Sequence, residues 1–407
     1  MRGEKQPDLP RSFTLHFGLY GVVALMLSAC SGFDREDRIE DLRILAVRAD
    51  PPEILYSPLY ALTTPDTRAP GLPLQGVDME LEVYAFEPRG GLVRTQVNLC
   101  PAGEGACIDY DTAPLLADKS SETQAELKAV YTPPVIENAP LSGQNDPSGR
   151  IPDLKWQFTF TPAVIDSLVP KTEDGLPSLT FFPTFPRIAV DIESPTHEDV
   201  ARETAFKRIS TGVDLWDPSL PPDFRAGIAG GLGIELCDSS VPDEEFVEGP
   251  GTCLEPRVPN RNPTLLGFYL TGEDDEPEEG IRFVPLSEQS SLDVGPRSSI
   301  RAARGSSIRL EPVFAEGDDE RYQAFRFNIE DSTLEIENRR EDFVGNWYST
   351  GGSLSLSLTT VIFYDDLSSV WTLPSTGVEP GDEDTLVAVF LDQRGGTAVG
   401  EIRVTYR

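Results

Sequence analysis

The sequence predicts an all-β protein built as two tandem β-sandwich modules with long loop insertions. Three observations carry that expectation. Short runs alternate apolar and polar residues with period two, as in Met79-Glu80-Leu81-Glu82-Val83-Tyr84-Ala85-Phe86, which sets Met79, Leu81, Val83 and Ala85 on one face. Helical periodicity is weak throughout. The chain also carries 34 Gly and 36 Pro among 407 residues, a high density of turn formers. Its 39% hydrophobic content is that of a globular protein, and its length allows more than one core.

Residues 1–29 read as a signal peptide. Arg2, Lys5 and Arg11 precede a mostly apolar stretch, Phe13–Ala29, that is short for a membrane span and contains His16. It ends in Leu27-Ser28-Ala29-Cys30, which resembles the bacterial lipobox: small side chains at the cut, then the one thiol able to take a diacylglycerol. The resemblance implies lipidation (palmitate-type acylation) of Cys30, and three acyl chains exceed the two-signal threshold for stable anchoring. Ser31 resembles the residue that follows the Cys in lipoproteins sorted to the outer membrane. Residues 30–41 are polar and form the expected lipidated tether.

Strand signals begin at Leu42. In the first half they are 42–50, 79–86, 93–100, 187–194 and 206–213; Trp156–Phe160 alternates in the same way. In the second half they are 264–272, 308–316, 343–352, 386–393 and 401–407. The two series match in order, so residues 42–213 are expected to form one sandwich and 263–407 another, each immunoglobulin-like. Residues 214–262 read as a loop insertion or linker, and 286–307 as a Ser/Arg/Gly-rich mobile connection. Pro312 should place its strand at an edge or bulge. The helix candidates are Glu122–Tyr131 and Glu198–Lys207.

Phe343–Gly352, Trp371-Thr372-Leu373-Pro374 and Leu386–Ala398 resemble the C-terminal module of secreted lipoproteins of the myxobacterial type. Leu42–Ile54 and Pro259–Gly272 resemble the openings of their two modules. These stretches cover about a sixth of the chain, and the resemblance implies a lineage and no activity. It also implies that Trp347 is the core Trp of the third strand, although the inter-sheet cysteine pair that often accompanies such a Trp is missing.

Charge and cysteines bound the function. A formal net charge of −34 disfavours nucleic acid and anionic headgroups. Export implies an oxidising compartment. With Cys30 acylated, four cysteines remain, and nearest-neighbour pairing gives Cys100–Cys107 and Cys237–Cys253, one of three possible connectivities.

Candidate sites are sparse. Glu273-Asp274-Asp275-Glu276 with Glu278 and Glu279, Asp318-Asp319-Glu320 and Asp365-Asp366 are acidic runs without a regular calcium-loop pattern, and read as solvated surface. His197 sits in a hairpin-tip sequence and lacks a nucleophile elbow. Gly230-Gly231-Leu232-Gly233 fits no phosphate-binding spacing and reads as a flexible turn. Arg89-Gly90-Gly91 and Arg394-Gly395-Gly396 read as hairpin turns. Trp371, Tyr348 and Tyr364 read as core or cross-strand packing, with a stacking platform for a sugar as the alternative. The expectation is a non-enzymatic envelope lipoprotein without cofactor or metal. It would be an interaction or scaffolding module of the outer membrane with an envelope protein or glycan as partner. The alternatives are a carbohydrate-binding module, for which Trp371 would be the residue to change, or a calcium-rigidified adhesive stalk.

Overall fold

The structure, a computed structural model, describes residues 37–56, 77–89, 94–100, 136–137, 149–151, 154–160, 187–194, 201–218, 220–242, 245–272, 282–286, 297–328, 333–360 and 366–407. It is all-β apart from one helix among these residues. The first half supplies β1 (Arg43–Asp50), β2 (Glu53–Tyr56), β3 (Val77–Phe86), β4 (Arg94–Cys100), β5 (Ile136–Glu137), β6 (Lys155–Phe160), β7 (Arg187–Ser194), β8 (Ala201–Arg208) and β9 (Ser210–Val213). They form a β1-β3-β6 sheet, a β5-β4-β7-β8 sheet and a parallel β2-β9 pair. Period-two alternation sends Met79, Leu81, Val83 and Ala85 inward as the sequence indicates. They meet Val97, Ile188, Val190 and Ile192 from the facing sheet in one core.

The linking segment is more than a loop. It contains α1 (Pro222–Leu232) and β10 (Gly249–Gly251). Pro222 starts the helix, where its missing N–H costs nothing, and Asp223 in the first turn suits the helix dipole. Gly230 and Gly231 are therefore the last helical turn, ended by Gly233 at φ 71°, a left-handed cap that glycine adopts without strain. The run is thus a helix end and not the flexible turn its composition suggests.

The second half supplies β11 (Leu265–Gly272), β12 (Arg282–Pro285), β13 (Arg297–Ala302), β14 (Ser307–Phe314), β15 (Arg321–Asn328), β16 (Thr333–Arg340), β17 (Val344–Ser349), β18 (Ser353–Leu354), β19 (Leu358–Thr360), β20 (Ser369–Thr372), β21 (Glu383–Leu391) and β22 (Thr397–Tyr406). A β12-β11-β14-β20-β18 sheet faces a β13-β22-β21-β17-β19 sheet. Between them lie Phe268, Leu310, Trp347, Trp371, Phe390 and Ile402 with their neighbours. Trp347 is fully buried, its indole N–H donating to Thr359 Oγ1 at 2.9 Å and its ring edge-on to Phe390. The third sheet, β10-β16-β15, packs with α1 through Ala229, Ile234 and Ile336.

Pairing recurs between the halves. The first two runs of each series pair together (β1 with β3, β11 with β14), and the third and fourth of the first series (β4 with β7) pair in the facing sheet as the last three of the second do (β17-β21-β22); the fifth run, 206–213, is instead split between the end of β8 and β9, which pairs in parallel with β2. Three readings change. Residues 201–207 of the second helix candidate belong to β8, which pairs with β7 along all eight positions, because a complete ladder outweighs a weak helical preference. Part of the Ser/Arg/Gly-rich connection is β13, parallel to β22. β14 lies inside its sheet, but its pairing with β20 stops at Leu310, so Pro312 occupies a locally one-sided stretch.

The two sandwiches stack. The outer face of the β1-β3-β6 sheet carries Ala46, Tyr84 and Phe86 against Val387, Val389 and Val399 of the second sandwich, making four layers of sheet. The end of the expected tether joins this contact. Ile39 is buried there, and Ile39 N–H donates to Ser349 O while Ser349 N–H donates to Asp37 O. Residues 37–39 are thus part of the folded body.

Candidate functional site

The stacked sheets bring together charged groups that lie far apart in the chain. Glu53 starts β2, its side chain 0% exposed. It accepts from Ser210 Oγ at 3.1 Å, Asn260 N–H at 2.8 Å, Arg394 Nη2 at 2.9 Å and Arg257. Burial alone would raise its pKa; Arg257, Arg394 and the Asn260 N–H outweigh burial and hold the carboxyl below its ordinary value. Arg394 belongs to the β21–β22 turn, where Gly395 takes φ 103°. Asp392 Oδ1 accepts the backbone N–H of Arg394 at 2.8 Å and of Gly396 at 2.7 Å, which shapes the turn.

Lys207 reaches the same turn from β8 and donates to Gly395 O and to Thr397 Oγ1. Burial brings its pKa down to about 8. Glu341 lies 3.5 Å from Arg394 Nη1. Burial first, then repulsion from Asp392, pushes Glu341 up to about 9, so it is protonated at neutral pH. A second tie crosses elsewhere in the interface: Arg150 and Glu401, both nearly buried, stand 3.5 Å apart, with Arg150 over the Tyr84 ring.

Beside Arg394 a cavity of about 730 Å³ opens between the linker, the β15–β16 hairpin and the β21–β22 turn. Leu215, Trp216, Leu254 and Phe325 contribute apolar wall, and five arginines line it: Arg257, Arg261, Arg321, Arg340 and Arg394. Arg321 and Arg340 lie over the Phe246 ring at 5.5 and 5.4 Å, and Arg394 over Tyr322 at 5.5 Å. Cys237 and Cys253 are disulfide-bonded with Cα atoms 5.2 Å apart, and they staple the linker next to this wall.

The other expected positions divide. Cys100 ends β4, but its side chain, Cys107, Cys30, His197, Tyr364, Asp365, residues 122–131, residues 273–280 and residues 90–91 lie outside the described residues. Trp371 is 0% exposed, and its indole N–H donates to Gly351 O. It cannot stack on a sugar, because the sandwich core needed the ring. Among the described residues no group of three or more His, Cys, Asp or Glu is placed to hold a metal ion. Asp318, Asp319 and Glu320 instead serve Thr264 N–H, Arg340 and Arg261. The sequence reading missed Glu53, Lys207, Asn260, Glu341 and Asp392. One faint signal existed for Lys207, an ionisable group inside an alternating strand; Arg394 was visible only as part of a turn.

No protein-family model matches the chain, and no curated protein matches it in sequence. Among solved structures, it is similar to dimeric latent PorU from Porphyromonas gingivalis at 10% identity and TM-score 0.14, over 90% of this chain and 34% of that one. It is also similar to the C-terminal domain of the Streptococcus pyogenes antigen I/II-family protein AspA, at 8% identity and TM-score 0.15, over 81% and 93%. The chain thus spans about a third of the length of the PorU chain. Likenesses this distant carry no argument about function.

Proposed function

We propose that the chain is a non-enzymatic, lipid-anchored interaction module of the bacterial outer membrane, attached through Cys30 and acting on an envelope partner. The address rests on Leu27-Ser28-Ala29-Cys30 and the apolar run before it. The observation that carries the interaction reading is the buried junction. Glu53, Arg394 and Lys207, together with the apolar contact of Tyr84 and Phe86 on Val387 and Val389, join two sandwiches into one frame. Binding loops work when a stiff scaffold holds them.

The test is mass spectrometry of the N-terminal peptide from membranes, with a fractionation assay. Acylated Cys30 as the first residue, and release of Cys30→Ala into the soluble fraction, are the expected results. A chain still beginning at Met1, or an equally membrane-bound Cys30→Ala protein, would overturn the address. Cross-linking in the native envelope then identifies the partner.

One observation favours a glycan as that partner. Tyr269 and Phe283 are cross-strand neighbours on β11 and β12, both 41% exposed, with ring centroids 5.4 Å apart. Such a pair offers the platform that Trp371 does not. On a glycan array, binding that Tyr269→Ala abolishes supports this reading, and binding that survives the change removes it.

A further inference from the structure

The junction cavity has a chemistry that neither anchoring nor stacking of the sandwiches requires. We propose that it binds a small amphipathic organic anion: a carboxylate or sulfonate carried on an apolar ring or chain. Its volume, about 730 Å³, is that of an ordinary small-molecule site, and it lies where three parts of the fold meet. The apolar part of the ligand would rest on Leu215, Trp216, Leu254 and Phe325.

The preference for an anion follows from donor arithmetic. Five arginines and four carboxylates (Glu255, Glu316, Asp319 and Glu320) line the cavity, in a chain whose overall charge is −34. Three of these carboxylates are already engaged by arginines. Glu320 accepts from Arg261 at 2.6 Å, Asp319 from Arg340 at 3.4 Å, and Glu255 takes the Val241 N–H and faces Arg321. A guanidinium has five N–H donors in a planar fork, so one such contact does not exhaust it. Arg261 meets Glu320 through Nε, and Arg340 meets Asp319 through Nη1, which leaves N–H donors on both forks, and both residues line the cavity. Stacking on Phe246 fixes the Arg340 plane beforehand, which lowers the ordering cost of binding. A cation would meet one carboxylate without an arginine partner, Glu316, and three already engaged, whereas an anion meets several donors held in place.

The test is isothermal titration of the purified full chain with 1-naphthoate, laurate and neutral 1-naphthalenemethanol, with matched blank buffer subtracted. The expected result is one site per chain for at least one of the two acids, with the alcohol at least tenfold weaker than naphthoate if the ring fits. Binding of laurate alone identifies an alkyl-chain acid as the source, and binding of naphthoate alone an aromatic one. Arg340→Gln should weaken the acid at least tenfold and leave the alcohol within threefold. Arg261→Gln, at a side chain 74% exposed, provides a second variant that does not endanger folding and should act in the same direction. The proposal is overturned if neither acid saturates a site below millimolar concentration, if acid and alcohol bind equally, or if both variants bind the acid as the parent does. None of these outcomes touches the anchoring reading, which is decided at Cys30.

Discussion

Replacing Glu53 by Ala should uncouple the two sandwiches. The carboxylate is fully buried and accepts from four groups belonging to three segments: Ser210, Arg257 with Asn260, and Arg394. Without it the Asn260 N–H is buried with no acceptor, and Arg394 keeps Glu320, 3.5 Å away, as its charged partner, with the Val258 carbonyl. Removing one partner of a buried, hydrogen-bonded ion pair costs about 3–5 kcal/mol. With a urea dependence of about 3 kcal/mol/M, the midpoint should fall by about 1–1.7 M. The parent should unfold in one transition by tryptophan fluorescence and circular dichroism alike, and Glu53→Ala in two. The pH dependence adds a second check. A carboxyl held below its ordinary value contributes stability above the unfolded-state pKa and loses it as the pH falls through the folded value. The variant should therefore lack part of the parent's loss of stability in acid. A change under about 1 kcal/mol with a single transition retained would refute the reasoning, because surface-like pairs contribute that little.

Glu341 should act in the opposite direction. Its raised pKa means that unfolding releases a proton between about 4.5 and about 9, so stability falls as pH rises across that window, by at most about 1.4 kcal/mol per unit. Glu341→Gln should flatten the fall in urea midpoint between pH 5 and 9; an unchanged slope contradicts the assignment. Lys207 adds the reverse slope above pH 8, where the folded state alone has lost the proton, and Lys207→Met should remove it. Trp347→Ala should cost about 3–5 kcal/mol, read from denaturant midpoints, since it empties the centre of the second core and leaves Thr359 Oγ1 without its donor. If residues 273–279 bind calcium, millimolar calcium but not magnesium should raise the melting temperature, and an unchanged melt removes the stalk alternative.

The fold was legible where one face of a strand meets a core. Met79, Leu81, Val83 and Ala85 could be placed by alternation alone, because a one-residue slip would have turned all four to water. The same pattern could not show what Tyr84 and Phe86 do. They sit on the nominal outer face and are buried only because a second sandwich covers them. Residues 201–207 look helical locally and become a strand through β7, a partner that local sequence does not contain. The composition of the Gly230–Gly233 run does not show its role, which depends on Pro222, eight residues before Gly230, starting a helix that needs a left-handed end. The site was almost invisible for the same reason. Glu53, Lys207, Asn260 and Asp392 belong to no motif, and only the tertiary stacking of sheets makes neighbours of them.

The most direct test of the central claim, that the two sandwiches form one rigid body, is a distance distribution measured by pulsed electron resonance. Spin labels would be placed at the exposed positions Gln157 on β6 and Ser375 after β20. One narrow peak is expected for the parent, broadening in Glu53→Ala. A broad distribution in the parent itself would show that the buried junction does not hold the sandwiches together, and would contradict the account.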